Sequence, residues 1–482
     1  MSKNNTFYIT TTLPYVNSDP HVGHAMEFVR ADATARYHRM LGEEVFLNTG
    51  TDEHGTKIQS KALEAGKTPQ EYVDFYAERF KKLVVDLGML ADINFVRTTD
   101  EAHKKSAETF WKKCEARGDI YKKNYKIKYC IGCELEKTDS DLVNGKCPDH
   151  PNQDLEIREE ENYFFKFSNY QKALLDLYSK NPEFVIPSFR FNEIKAFVER
   201  GLNDFSISRP VEKMSWGIPV PGDETHVMYV WFDALINYVD VIGWPENIEK
   251  FEKFWPVIQY CGKDNLRQQS AMWQAMLMSA GIAPSKQIVI NGHIMGDGGV
   301  KMSKSIGNVI NPFDVIAEYG TDAFRYMVLR ELSAFEDSEF SAAKIKETYN
   351  ANLANGLGNL VSRTMKMAIN YKVTLNIKDI NFDILSPEYQ NYRNFVETFD
   401  HQKAMDEIWN RIKSLDTFIA ENEPFKKIKT DEEGARTDVA YLLVGLYKIA
   451  KLLIPYMPAT SEKIIHALRE SQMPEPLFAR KE

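Results

Sequence analysis

Near the start of the chain, Phe7 to Thr12 is a β-branched and aromatic run, Pro14 and the Asn17-Ser18-Asp19-Pro20 cluster break it, and Met26, Val29, Ala33 and Tyr37 follow at helical spacing. The pattern predicts a strand, a turn and a helix that starts near His21. The alternation continues with a strand over 43–48, a helix over 70–87, a strand over 95–98 and a helix over 102–117. Together these describe the first half of a doubly wound sheet. After Asp119 the alternation gives way to short β-like pieces at 126–133, 146–151 and 163–168, then a helical stretch at 170–179. The sheet is expected to resume at 226–230 and to continue with strands at 257–261 and 288–291, around the Gly262-Lys263-Asp264 turn and a helix through Met278. From about residue 343 the pattern is helical. Ile408, Ile412, Leu415 and Ile419 form one apolar stripe, and Val439, Leu442, Leu446, Ile449 and Leu453 form another, as in a helix bundle.

Composition narrows the class. At 482 residues and 43% hydrophobic content, there is material for roughly two to four domains with substantial cores. A net charge of −9 excludes a surface coated with basic charge, so any nucleic-acid contact has to be regional. The opening residues contain no apolar core of a signal peptide, and no apolar run is long enough to cross a bilayer, so a cytoplasmic protein is expected.

Three sets of residues carry candidate chemistry. A helix beginning near His21 aims free backbone N–H groups and the positive end of its dipole at the preceding turn, which suits phosphate. His21 and His24 add imidazole donors there, and Gly23 leaves room for a flat base or a phosphate to approach. Taken alone, two histidines on a helix are more often surface or core residues. Far downstream, Lys301-Met302-Ser303-Lys304-Ser305 follows Gly296, Gly298 and Gly299, and its two lysines are placed to close over a triphosphate. Alone, it is a solvated basic loop. Cys130-x-x-Cys133 and Cys147-x-x-His150 have the two-knuckle spacing of a tetrahedral Cys3His zinc site, closed by four protein ligands and therefore structural. Cys114 and Cys261 have no such partners and are expected to be buried thiols.

In combination and in this order, the His21-x-Gly23-His24 and Lys301-to-Ser305 motifs resemble the signatures of class I aminoacyl-tRNA synthetases, and the chain is most similar to the methionyl branch. The resemblance covers nearly the whole chain. It implies an α/β fold with a doubly wound parallel, Rossmann-like catalytic sheet in two halves, 1–118 and 223–310. Between them lies a connective-peptide insertion, 119–222, with its zinc knuckle at about 125–165. A connector, 311–342, and an all-α helix-bundle anticodon-binding domain, 343–482, follow. The implied activity is that of a ligase. L-methionine and ATP give methionyl-adenylate and pyrophosphate, and the adenylate acylates the 3′-terminal ribose of tRNA(Met).

By the same resemblance His21 and His24 contact phosphate, Gly23 admits adenine, Asp264 meets the ribose, and Lys304 with Lys301 holds pyrophosphate, with Mg²⁺ accompanying ATP. Leu13, Tyr15, Trp231, Ala234, Tyr238, Gln269 and Trp273 match the methionine pocket, and Asp52 matches the aspartate that receives the amino group. Asn359 and Arg363 match base-reading positions, while Phe425 replaces a stacking tryptophan. The chain departs from its relatives at Gln269, where most have histidine, and at Asn265, where an apolar residue is usual. No β-rich segment follows Arg469, so neither an appended tRNA-binding barrel nor the dimer it forms is expected, and a monomer is. The alternatives are a class I synthetase for another amino acid and a non-catalytic tRNA-binding relative.

Overall fold

The computed structural model describes residues 5–133, 135–137, 141–300, 302 and 310–482. Six strands form the central sheet: β1 (Thr6–Thr10), β2 (Glu44–Thr51), β3 (Asn94–Arg97), β4 (Val185–Ile186), β5 (Ile258–Gly262) and β6 (Gln287–Asn291). Their order is β3-β2-β1-β5-β6-β4, and every neighbouring pair is parallel. Phe7, Tyr8 and Ile9 are all buried, because helices cover both faces of a parallel sheet and its inner strands carry apolar side chains on each. The strand order reverses between β1 and β5. The crevice beyond the carboxyl ends of these two strands is where such a sheet binds ligands.

Two of the expected strands are placed differently. Residues 226–230 do not resume the central sheet. Residues 226–228 belong to Asp223–Met228, which pairs antiparallel with Ser208–Pro210 and Pro219–Val220 in a separate three-stranded sheet, and Val230 already opens the next helix. Asp223, Glu224 and Thr225 make its first half polar and solvent-facing, which an antiparallel strand tolerates and an inner parallel strand does not. The central sheet instead resumes at β5. Residues 146–151 form turns, with only an isolated bridge between Val143 and Lys146, since Pro148 and Pro151 interrupt any ladder. The segment expected as an insertion, 119–222, also contributes β4, whose two residues pair with Ile288 and Val289 at the edge of the sheet.

Within that segment, Ile120–Cys130 and Glu156–Phe165 form a long antiparallel ribbon that projects the cysteine–histidine cluster. Cys114 and Cys261 are buried as expected. The helix bundle rests on the catalytic half through charged and polar side chains with no exposure to solvent. Arg325 pairs with Asp32 at 2.7 Å and donates to the carbonyls of Tyr456, Pro455 and Leu87. His401, first residue of the helix His401–Asn422, meets the hydroxyls of Thr34 and Tyr260. A buried charge with this many partners is satisfied, and deleting one member of such a pair costs about 3–5 kcal/mol. Among the described residues, no helix is long and apolar enough to cross a membrane.

Candidate active site

The helix that follows β1 is α1 (Val22–Met40), and its N-cap is His21. The cap fixes both histidine tautomers. The Gly23 N–H donates to His21 Nδ1 at 3.1 Å, and the His21 N–H donates to His24 Nδ1 at 3.3 Å. Each Nδ1 is thus an acceptor, which leaves the proton of a neutral ring on Nε2. The two rings stack at 3.6 Å. Burial, reinforced by His21, pushes His24 well below the usual imidazole range, so its ring is neutral near pH 7. Two Nε2–H donors therefore stand at the positive end of the helix dipole. A Cβ on Gly23 would lie 3.0 Å from the His21 ring and crowd this arrangement.

A cavity of about 470 Å³ opens at the crevice. His21, Gly23, His24, Asp264, Leu13, Tyr15, Asp52, Trp231, Ala234, Tyr238 and Gln269 all line it, although they come from six separate stretches of chain. Tyr15 and Asp52 are brought side by side by a parallel bridge that extends β1 and β2. Gly55 makes that placement possible, because a Cβ there would sit 2.5 Å from the Tyr15 hydroxyl. The Asp52 loop is held from behind: Glu53 takes two hydrogen bonds from Arg97, and His54 Nδ1 lies 2.6 Å from Asp233. Asp233 belongs to the helix Val230–Ala234, which carries Trp231 and Ala234. Trp273 does not line the cavity. Fully buried, it stacks on Phe110 and lies against Tyr238, so it supports the pocket wall. Asp264 meets His293 Nε2 at 2.9 Å. Lys301 and Lys304 lie outside the described residues, but Met302 between them lines the same cavity as His21 and His24.

The chain matches the family described as tRNA synthetases class I (M) over residues 7–155 and 150–365. It also matches the anticodon binding domain of methionyl tRNA ligase over 378–479. It is 40% identical to the methionine–tRNA ligase of Fusobacterium nucleatum over 97% of its own length and 75% of that protein's. To the Thermosynechococcus vestitus enzyme it is 39% identical, over 95% of this chain and 89% of the relative. The solved structure of Mycobacterium tuberculosis methionyl-tRNA synthetase in complex with methionyl-adenylate matches with a TM-score of 0.89 at 31% identity, covering 99% of this chain and 100% of that one. The chain belongs to the class I methionyl-tRNA synthetase family.

For a methionyl-tRNA synthetase fold, the cavity residues that the sequence reading did not name include Glu27, Asn291 and His293. A glutamate in the otherwise apolar run Ala25-Met26-Glu27-Phe28-Val29 was the available signal for the first. Glu27 accepts from the Thr12 N–H at 2.7 Å and lies 3.4 Å from Asn291 Nδ2, so it ties the ends of β1 and β6 together. Burial pushes its carboxyl up to about 7, against the opposing pull of the Thr12 hydrogen bond and Arg30. The folded state therefore holds this proton more tightly than the unfolded state. The resulting stability is fully present below the ordinary carboxylate range and is lost as pH rises through about 7. Thermal unfolding of the wild type and Glu27→Gln should show the wild type's relative stability falling between pH 5 and pH 8. A relative stability that rises over that interval would exclude a raised carboxyl.

The four knuckle ligands converge as their spacing suggested. Cys130, Cys133, Cys147 and His150 place their ligand atoms within 4.8 Å of one another. Cys133 Sγ lies 3.4 Å from Cys147 Sγ and 3.2 Å from His150 Nδ1. The edge of a tetrahedron with bonds of ~2.3 Å is about 3.8 Å, so the group is compact enough to hold a metal ion. A Cβ on Gly132 would sit 2.3 Å from the His150 ring, so only glycine fits between the first two thiols. Gly132 and Cys133 also line the cavity, which places the knuckle tip against the active site. In the bundle, Asn359 and Arg363 stand one turn apart on the exposed face of Asn359–Asn370, with Arg363 3.8 Å from Asp416. Phe425 is 42% exposed.

Proposed function

We propose that this chain is a methionine–tRNA ligase and that the cavity performs both of its steps. L-methionine carboxylate attacks the α-phosphorus of ATP, pyrophosphate leaves, and a ribose hydroxyl at the 3′ end of tRNA(Met) then attacks the adenylate carbonyl and releases AMP. The reading rests on one observation. Two Nε2–H donors at a helix end, an apolar slot walled by Trp231 and Tyr238, and Met302 of the lysine motif share a single cavity. No protein nucleophile is required. In-line positioning and fixed donors aimed at developing negative charge supply the rate.

His21 and His24 would stabilise charge on the phosphates, and Gly23 would admit adenine. Lys304, assisted by Lys301, would hold the leaving pyrophosphate. Asp264, paired with His293, would orient the ribose. Asp52 would receive the methionine ammonium, while Leu13, Tyr15, Trp231, Ala234, Tyr238 and Gln269 recognise a thioether by shape and by sulfur–aromatic contact. Trp273 supports that wall through Tyr238. The Cys3His group suits Zn²⁺, which would fold the knuckle without an open coordination position. Among the described residues no other cluster of three metal ligands occurs, so Mg²⁺ would arrive on the ATP phosphates with most of its waters. Exposed Asn359, Arg363 and Phe425 would read and stack anticodon bases.

ATP–pyrophosphate exchange tests the function. Exchange should depend on methionine and should not respond to leucine, isoleucine, valine or cysteine. Stimulation by one of those amino acids alone would establish a different synthetase, and no exchange with any of them would favour a non-catalytic relative.

A further inference from the structure

Two stretches far apart in the chain face methionine in the proposed site, and a buried row of ionisable side chains behind the cavity joins them. Asp52, which would receive the ammonium, stands just past β2, and its backbone is tied to the segment after β1. The Asp52 N–H donates to the Pro14 carbonyl at 2.9 Å, and the Asp52 carbonyl accepts from the Val16 N–H at 3.1 Å. Trp231 and Ala234, which would hold the side chain, lie on the helix Val230–Ala234. Two residues beyond Asp52, His54 Nδ1 meets Asp233 Oδ2 at 2.6 Å, and Asp233 sits between Trp231 and Ala234 in the chain. The other Asp233 oxygen meets His103 Nε2 at 2.8 Å, and His103 Nδ1 meets Asp240 Oδ2 at 2.5 Å. His54, Asp233 and His103 are each at most 3% exposed. A carboxylate can only accept, so both His103 nitrogens donate and its ring is an imidazolium, while His54 donates from Nδ1. Against the cost of burial, Asp240 and Asp233 pull His103 up to about 10, and the two histidines hold Asp233 down to about 2. Asp233 is thus gripped through both oxygens, from the Asp52 loop on one side and from the helix Glu101–Ala116 on the other.

We infer that the His54–Asp233 contact is a clamp that fixes the spacing between Asp52 and the wall formed by Trp231 and Ala234, so that the ammonium and the side chain of methionine each strengthen the binding of the other. The inference deepens the proposed function and rests on it. Two subsites held at one spacing act on a ligand that spans them as a single pre-organised site. Once one end is seated, the other finds its partner with little further loss of freedom. When the spacing drifts, that gain is lost although each subsite survives. Nothing local could hold the two stretches together, since His54 and Asp233 are 179 positions apart. A carboxylate between two imidazole donors has one favoured geometry in a dry interior, whereas apolar contacts can slide. None of His54, Asp233 and His103 lines the cavity, so they act as positioning residues. Removing the clamp leaves other supports of this region in place. Trp216 Nε1 still donates to the Glu53 carbonyl at 2.6 Å, and Asn48 Nδ2 still donates to Asn237 Oδ1 at 3.1 Å.

The test compares methionine with its des-amino analogue, which keeps the carboxylate and the thioether and lacks the ammonium. The readout is the factor by which methionine binds more tightly than the analogue, from calorimetry for methionine and from competition for the analogue. In His54→Leu this factor should fall about tenfold, equivalent to about 1.4 kcal/mol, with the dissociation constant of the analogue within about twofold of the wild-type value. His54→Asn places an amide N–H where the Nδ1–H stands and should restore most of the factor. His103→Gln offers one amide nitrogen in place of two ring donors, loosens Asp233 from the other side and should lower the factor in the same way. That second variant keeps the test available if His54→Leu fails to fold. A merely structural role would weaken both ligands alike and leave the factor unchanged. An unchanged factor in either folded variant overturns the inference. A factor near one in the wild type, or no methionine-dependent exchange, would instead be a failure of the proposed function, since Asp52 would then not hold the ammonium of a substrate.

Discussion

His24→Ala should lower kcat for methionine-dependent ATP–pyrophosphate exchange by roughly 10²–10³-fold while leaving KM for methionine nearly unchanged. That is the scale of losing one fixed donor to a developing oxyanion, about 2.7–4 kcal/mol. The His24 ring is kept neutral by burial and by His21, and its Nδ1 is occupied by the His21 N–H, so the only proton it can offer lies on Nε2. Alanine removes that donor and one side of the helix cap together. The cap contributes only about 1 kcal/mol, and it acts on stability rather than on the chemical step. Unfolding and exchange measured on one preparation therefore separate the two effects. A kcat within threefold of the wild type in a folded His24→Ala protein would remove this residue from catalysis.

The second large effect concerns the knuckle. Extraction with a strong chelator should release one equivalent of zinc per chain, open residues 126–155 to protease and abolish most exchange activity. Zinc binding is worth about 10–16 kcal/mol in small zinc-finger peptides at neutral pH, so this local structure is not expected to persist without its metal. Activity falls with it because Gly132 and Cys133 form part of the active-site wall. Gly132→Ala gives an independent check, since its new Cβ would sit 2.3 Å from the His150 ring and push away a ligand. The variant should purify with reduced zinc by atomic emission. Full zinc content in Gly132→Ala would refute the proposed role of His150.

These two sites were the ones the sequence described best, because each depends on residues a few positions apart. The histidine pair sits at a break between a strand pattern and a helix pattern, and a helix cap joins only neighbours. The metal ligands come as two close pairs. The same locality explains why a strand expected over 226–230 is extended over 226–228 but lies in a different sheet. Alternation specifies that a segment is extended, and the partner is chosen by burial on each face. The two residues of β4 were too short to show any period, yet a parallel neighbour stabilises them at the sheet edge. Trp273 carries the composition of a pocket residue, but it is fully buried against Phe110 and Tyr238 and does not line the cavity.

From the amino-acid sequence alone came the alternation of strands and helices, the two signature motifs, the Cys3His spacing and the helical tail, since all of these are set by backbone propensity and short-range periodicity. Only the tertiary structure decided that Glu27 joins two strand ends, that the knuckle touches the cavity, and that Ser285, Gln274, Gln259 and Gln269 form one buried hydrogen-bonded chain. Those relations link residues up to 264 positions apart. They exist because packing excludes water, and a buried polar group must then find its partner wherever the fold brings one.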